Sequence, residues 1–583
     1  MSHPEKSVAI TTATDEFETS STTNVKQHDI TTVTKSLDDE QGSEKVLISK
    51  DESNSSLEED DEGRDPTEYE MKTLRHVSGK IPLSAWLIAI VELAERFSYY
   101  GLSAPFQNYM QNGPDDNPSG MLDLGQQGAT ALSYFFQFWC YVTPIFGGWL
   151  ADTYWGKYKT IFVASIIYSI GIFILFITSI PSITNKSIAT GGFITAIIII
   201  GIGTGLIKTN VSPYLADQVP KRKAYIRVEK NGERVIVTNA LTIQRIFAIF
   251  YMCINVGSLS VLATTSLRAN VAYYAAYLLT FCFFFIAIFC LIVGKNRSVQ
   301  VPVGDRIINE TFRCSFQAMR DGFTFKNVKS NVITTDEIKR TLYACKIFLF
   351  YPFYWVTYGQ MVNNFVSSAG SMNNHGLPND ILQAFNSLSI ILFIPLMEKI
   401  IYPFIRKWTP FKPITRIFFG FMFATSAMIY AAVLQHFIYS AGPCFDHPSN
   451  CTNGNNIHIA WQTPAYCLIA LSEIFSSVVG LEYSYSKAAV NMKSFVMSLF
   501  LFTNAIGSAL GIALSPVSTD PKMVWTYSGL GVSCFIAGVL FWFIYSGYNA
   551  REDEWNEIEF AQNNTNSGLV PVTSFSKSIK SLA

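Results

Sequence analysis

Residues 90–101 read Ile-Val-Glu92-Leu-Ala-Glu95-Arg96-Phe-Ser-Tyr99-Tyr100-Gly101, and they lie inside an apolar run from about 82 to 110. As a helix, that run is long enough to cross a hydrocarbon core about 30 Å thick. Each charge at the centre of such a helix costs about 2.5–3.5 kcal/mol. The helix can carry Glu92, Glu95 and Arg96 only if they face a polar cavity and pair with one another. The spacing allows it, because Glu92 and Arg96 are four residues apart, Glu92 and Glu95 three, and both separations share a helix face. A carboxylate held by Arg96 keeps its charge, whereas one deprived of that partner and desolvated takes up a proton more readily. The stretch therefore predicts a membrane helix that lines an internal cavity and contains a proton switch.

Similar runs extend outward from it. Apolar stretches fall near 82–110, 127–150, 158–181, 189–215, 241–264, 270–294, 342–367, 380–404, 413–438, 460–486, 491–516 and 523–547, which predicts an all-α membrane protein of twelve transmembrane helices. The chain has 583 residues, of which 15% are charged, against about 25% in soluble domains. Lys157 and Lys159, Lys221 to Lys223, and Arg406 and Lys407 mark alternate connections, so the positive-inside rule predicts that both termini are cytoplasmic. The polar stretch 295–341 divides the spans six and six, giving an N-terminal bundle over 81–294 and a C-terminal bundle over 342–547, with a C-terminal tail over 548–583. Two six-helix halves on a cytoplasmic linker resemble the major facilitator architecture, in which a midplane site lies between rocking halves.

Residues 1–80 hold 19 acids and 9 bases with few large apolar residues, and predict a disordered acidic cytoplasmic tail open to regulatory factors. Val228 to Val235, with Asn231-Gly232 at its centre, predicts a tight hairpin in the connection after the fourth span. The connection near 439–459 falls outside the cell and holds Cys444, Cys451 and the sequon Asn450-Cys451-Thr452, predicting a disulfide and a glycosylation site. Most other cysteines lie in apolar segments as small hydrophobes. A net charge of -1 points to no nucleic-acid partner, and there is no metal-ligand spacing, phosphate loop or nucleophile with a placed base, so enzyme function is not expected.

Two further charges stand at membrane depth, Lys208 in the fourth span and Glu473 in the tenth. An ammonium and a carboxylate from opposite halves facing one cavity complement a zwitterion, with Lys208 and Arg96 meeting its carboxylate and Glu473 its amine.

The motif Glu92-x-x-Glu95-Arg96-Phe97-x-Tyr99-Tyr100-Gly101 resembles the signature of the proton-dependent oligopeptide transporter family, and three further blocks agree. These are Gly147-Gly-Trp-Leu-Ala-Asp152 with Gly156-Lys157-Tyr158, Phe250-Tyr251-x-x-Ile254-Asn255-x-Gly257-Ser258-Leu259, and Gly480-Leu-Glu-Tyr-Ser-Tyr-Ser486. The acidic leader and the continuation at 101–105 are similar to the fungal branch. The resemblance implies a monomeric plasma-membrane symporter, within the lipid bilayer, that imports di- and tripeptides with protons as coupling ion and no other cofactor. It implies proton coupling by Glu92, Glu95, Arg96 and Glu473. Substrate binding falls to Arg96, Tyr99, Tyr100, Tyr141, Lys208, Asn255, Asn386 and Glu473, and a gate or interdomain contact to Asp152 and Lys157. The chain departs from the family at Gly359, where many relatives carry an acid, at Tyr134, where animal relatives carry a histidine, and at Ser103, where many carry an arginine. A small-anion carrier and a nutrient receptor signalling through the tail are the competing readings.

Overall fold

A computed structural model of the chain describes residues 63–182, 185–220, 223–229, 231–301, 313–314, 317, 320, 341–342, 345–407, 412–448, 454–487 and 493–549. These residues form a multi-pass helical membrane protein with two bundles. The first bundle is built from Leu83–Ser103, Gly125–Leu150, Lys157–Thr178, Lys186–Asp217, the pair Asn239–Ser258 and Ser260–Asn270, and Tyr273–Gly294. The second comprises a segmented run from Lys346 to Gly370, another from Asn379 to Arg406, Pro413–Ser440, a run from Ile459 to Lys487, Lys493–Leu514 and Met523–Tyr545. These are referred to below as the first to twelfth spans.

Among the described residues, nine helices are long and apolar enough by composition alone to cross a bilayer. The other three runs deviate for readable reasons. The first carries Glu92, Glu95 and Arg96; the second is rich in Tyr, Trp, Gln and Gly; the seventh is broken into short helices at Gly359–Val362 and Asn363.

Each bundle has its own apolar core. In the first, Ile161, Tyr168, Phe193, Ile197, Tyr277 and Phe284 are fully buried; in the second, Tyr351, Tyr354 and Phe421 play that part. Glycine permits the close approach of the third and fourth spans: a Cβ on Gly203 would stand 2.8 Å from the Tyr168 Cα, and one on Gly171 3.0 Å from the Ile200 amide nitrogen. The bundles meet where the second span packs along the eleventh and the fifth along the eighth.

At the end where the first span begins and the twelfth ends lies a three-stranded sheet. Strands β2 (Tyr225–Val228) and β3 (Arg234–Thr238) form the hairpin expected around Asn231-Gly232, with Gly232 at φ +78°. Their β-branched residues Ile226, Val235, Ile236 and Val237 are buried. The third strand, β1 (Arg75–Ser78), pairs parallel to β3, with Arg75 opposite Val235. This corrects the expectation of disorder for residues 63–80; the rest of the expected tail, 1–62, lies outside the described residues. Residues 63–80 are ordered because they cover both exposed edges of the hairpin: Gly63 and Arg64 exchange backbone hydrogen bonds with Ile226 at 2.9 Å, and β1 satisfies the other edge. A short helix, Glu68–Thr73, crosses between them, opened by a capping box of Thr67 and Glu70. Glu70 also pairs with Arg64 at 2.8 Å and with Arg234 at 2.6 Å, which ties the helix to β3.

On the opposite, far side, Cys444 is disulfide-bonded. Its expected partner Cys451 and the sequon residue Asn450 lie outside the described residues.

Candidate functional site

The first span turns its charges inward. Arg96 Nε lies against Glu95 Oε2 and 3.3 Å from Glu92 Oε1, and all three side chains are buried. Thr204 of the fourth span donates to Glu95 Oε1 at 2.5 Å and accepts from the Arg96 guanidinium at 3.4 Å. Glu92 Oε2 is buried without a hydrogen-bond partner. One arginine thus serves two carboxylates, with one oxygen left over that a proton could satisfy.

One turn beyond Thr204, Lys208 extends over the ring of Tyr141, its Nζ 3.9 Å from the centroid. Among the described residues no carboxylate lies within 4.0 Å of it, although Glu92 and Glu95 are within electrostatic range. The aromatic face stabilises the cation without consuming its hydrogen-bond donors.

Glu473 stands in the other bundle, at the start of a π-helical stretch, Glu473–Val478, that interrupts the tenth span. Tyr358 donates to its Oε2 at 3.0 Å and Asn386 approaches the same oxygen at 3.4 Å. Among the described residues it has no cationic partner. It borders a cavity of about 50 Å³ shared with Tyr100, Tyr251 and Asn255 from the first bundle and Asn386 from the second. That volume is well below the roughly 300–1,000 Å³ of small-molecule sites, so the two bundles are drawn together around it. Tyr100 and Tyr141 lie within electrostatic range of both Arg96 and Glu473.

Most expected residues are therefore brought to one region. Three expectations fit less well. Arg96 is occupied by Glu92, Glu95 and Thr204 in this conformation, which leaves Lys208 as the available cation. Tyr99 stacks on Phe136 at 5.8 Å within the first bundle and does not border the cavity. Lys157 pairs with Asp217 at 2.5 Å, joining the third and fourth spans of one bundle and not the two halves. Asp152 lies in the π turn Ala151–Trp155, where partial burial raises its carboxyl pKa against the opposing pull of Lys157. Tyr358 and Thr204 were missed, although each sits within four residues of a position already singled out, Gly359 and Lys208.

Among the described residues, the hydrogen bonds and ion pairs that cross between bundles lie at the cavity or beyond it toward the far side. Ser258 donates to Ser387 at 2.7 Å; Thr130 donates to Asn364 at 3.1 Å, Tyr134 to the Val356 carbonyl at 2.9 Å, and Arg268 pairs with Asp380 at 2.5 Å. The far side is closed in this structure.

A family model described as the POT family matches residues 158–336 and 321–531. The peptide transporter PTR_C of Candidozyma auris is 60% identical over 537 residues, covering 90% of this chain and 94% of that protein. The peptide transporter PTR2 of Saccharomyces cerevisiae is 57% identical over 514 residues, covering 86% of each. Among solved structures, the POT family transporter PepTSo superposes with a TM-score of 0.66 at 20% identity, over 81% of this chain and 99% of that one. A POT family transporter in complex with 5-aminolevulinic acid gives a TM-score of 0.61 at 18% identity, over 80% and 96%.

Proposed function

The chain belongs to the POT family, and on that premise we propose that it is a proton-coupled symporter that imports di- and tripeptides across the plasma membrane by alternating access. Its relatives are peptide transporters and not enzymes. One observation carries the reading of the substrate: among the described residues, a half-buried cation without a carboxylate, Lys208, and a half-buried carboxylate without a cation, Glu473, stand in opposite bundles. A peptide with free termini supplies both missing partners. An anion supplies only one, which disfavours the anion carrier. Asn255 and Asn386 add amide groups for the peptide backbone, and Tyr100 and Tyr141 give the space between an aromatic wall.

With cytoplasmic termini, the closed far side means that this conformation is not open to the outside. Outside, Glu473 or the pair Glu92 and Glu95 takes up a proton and peptide binds between Lys208 and Glu473. Rocking then exposes the site inward. Proton loss returns the carboxylates to their charged state, where they compete with the peptide for Arg96 and Lys208 and favour its release. The membrane potential adds about 2.3 kcal/mol per charge per 100 mV to the drive. Protons are the coupling ion, no cofactor enters the cycle, a single chain suffices, and the N-terminal tail is where regulatory factors act.

The test is uptake of a labelled dipeptide into proteoliposomes with and without an inward proton gradient. Accumulation that needs the gradient, fails in Glu473→Gln and is indifferent to nitrate is expected. Correctly inserted protein that takes up no dipeptide would sink the proposal and move the anion carrier or receptor forward.

A further inference from the structure

At the far side, the first span continues past Pro105 into a short helix, Phe106–Gln111, and the eighth begins after Pro378 with Asn379–Gln383. Asn108 and Asn379 meet there across the bundle interface. Asn108 Nδ2 donates to Asn379 Oδ1 at 2.8 Å, and Asn379 Nδ2 donates back to Asn108 Oδ1 at 2.9 Å. The two amides form a closed, reciprocal pair with relative exposures of 2% and 1%. Asn379 is further held within its own bundle, because its Nδ2 also donates to the Val366 carbonyl at 2.9 Å, and from the first bundle Arg268 approaches its Oδ1 at 3.4 Å. Two nearby crossings are likewise uncharged, with Gln107 donating to Ser367 at 3.0 Å and Ser367 to Gln111 at 2.5 Å, while one is charged, the Arg268–Asp380 pair beside Asn379.

An amide pair of this kind is satisfied only when both bundles are together, so separating it means hydrating four polar atoms that are now dry. Removing one partner while the bundles stay closed leaves a buried donor and acceptor unsatisfied, which is costly; replacing both by apolar groups of similar shape costs much less.

We propose that Asn108 and Asn379 form the latch of the far-side gate and set the balance between its closed and open states. This rests on the reading of the chain as an alternating-access transporter, though not on its substrate. The pair does not touch the peptide site, so it acts by positioning the bundles.

The experiment places a reporter cysteine at Val362, which borders the central cavity, and measures its modification by a membrane-impermeant thiol reagent applied to each side in turn. The same chain without the reporter is the blank. Asn108→Leu and Asn379→Leu are each expected to raise labelling from the far side about tenfold, a shift of about 1.4 kcal/mol in the gate equilibrium. The double variant is expected to fall well below the product of the two single effects, since it leaves fewer orphaned groups. An unchanged rate in Asn108→Leu, or fully multiplicative effects, would overturn the latch. If Asn108→Leu does not reach the membrane, Asn108→Ser, too short to span the pair, replaces it and must give the same rise. No peptide is present, so a wrong substrate assignment leaves the result unaffected.

Discussion

Tyr134 and Gly359, the two positions in the second and seventh spans at which the sequence is read as departing from the family pattern, are in contact in the structure. A Cβ on Gly359 would lie 2.7 Å from Tyr134 Cε1. The Tyr134 hydroxyl donates to the Val356 carbonyl and accepts from Gln360 Nε2 at 2.6 Å, which fixes the ring against the seventh span. The tyrosine thus fills the space that a side chain at 359 would need. Gly359→Ala should cost about 1–3 kcal/mol of stability by overpacking, read as a lower melting temperature, and Tyr134→Ala added to it should recover part of the loss. A double variant less stable than the sum of its singles would contradict the contact. Lys208 supports a second prediction. Lys208→Gln should weaken binding of dipeptides with a free C-terminal carboxylate by about tenfold to a hundredfold, while C-terminally amidated analogues should hardly notice it; competition uptake measures both. Charges at membrane depth were legible in the sequence because their cost demands a partner. The hydroxyls of Thr204 and Tyr358 were not, since in an apolar helix a hydroxyl that packs and one that donates to a carboxylate look the same.

At the scale of elements, the ordered strap ahead of the first span shows where pattern reading stops. The β2–β3 hairpin could be read from Asn231-Gly232 between β-branched residues. Strand β1 could not, because in Arg75-His-Val-Ser only Val77 is apolar and its order comes from the hairpin edge it covers. Glu70 fastens the strap. The Thr67 backbone amide, then its hydroxyl and Arg64, lower its carboxyl to about 2. A group held below its usual value of about 4.3 contributes fully above that value, and the contribution is lost as pH falls toward 2. Hydrogen exchange of the β1 and β3 amides should therefore be slow and flat above about pH 5 once corrected for intrinsic rates, and speed up below pH 4. Thr67→Ala should raise it at neutral pH, since the capping box goes with the hydroxyl. Exchange that ignores both changes would show that the strap is held by its backbone pairing alone.

For the whole molecule, the multi-pass helical plan was legible from hydropathy, while most of the expected linker 295–341 lies outside the described residues. The conformation was not legible, because no sequence pattern says which end is shut. If both termini are cytoplasmic, epitope tags at either end should be reached by antibody only after the plasma membrane is permeabilised; staining of intact cells at either end would reverse the orientation. The three-stranded sheet carries a consequence for biogenesis. Arg75 pairs with Val235, 160 residues later, and four spans lie between them. The two strands can meet only if an even number of those spans has crossed, so the sheet is a parity check on insertion. At ribosomal speeds of about 5–20 residues per second, β1 waits roughly ten to thirty seconds for its partner. A chain that has skipped a helix leaves that partner stranded across the bilayer, with the unpaired edge as the mark of the error.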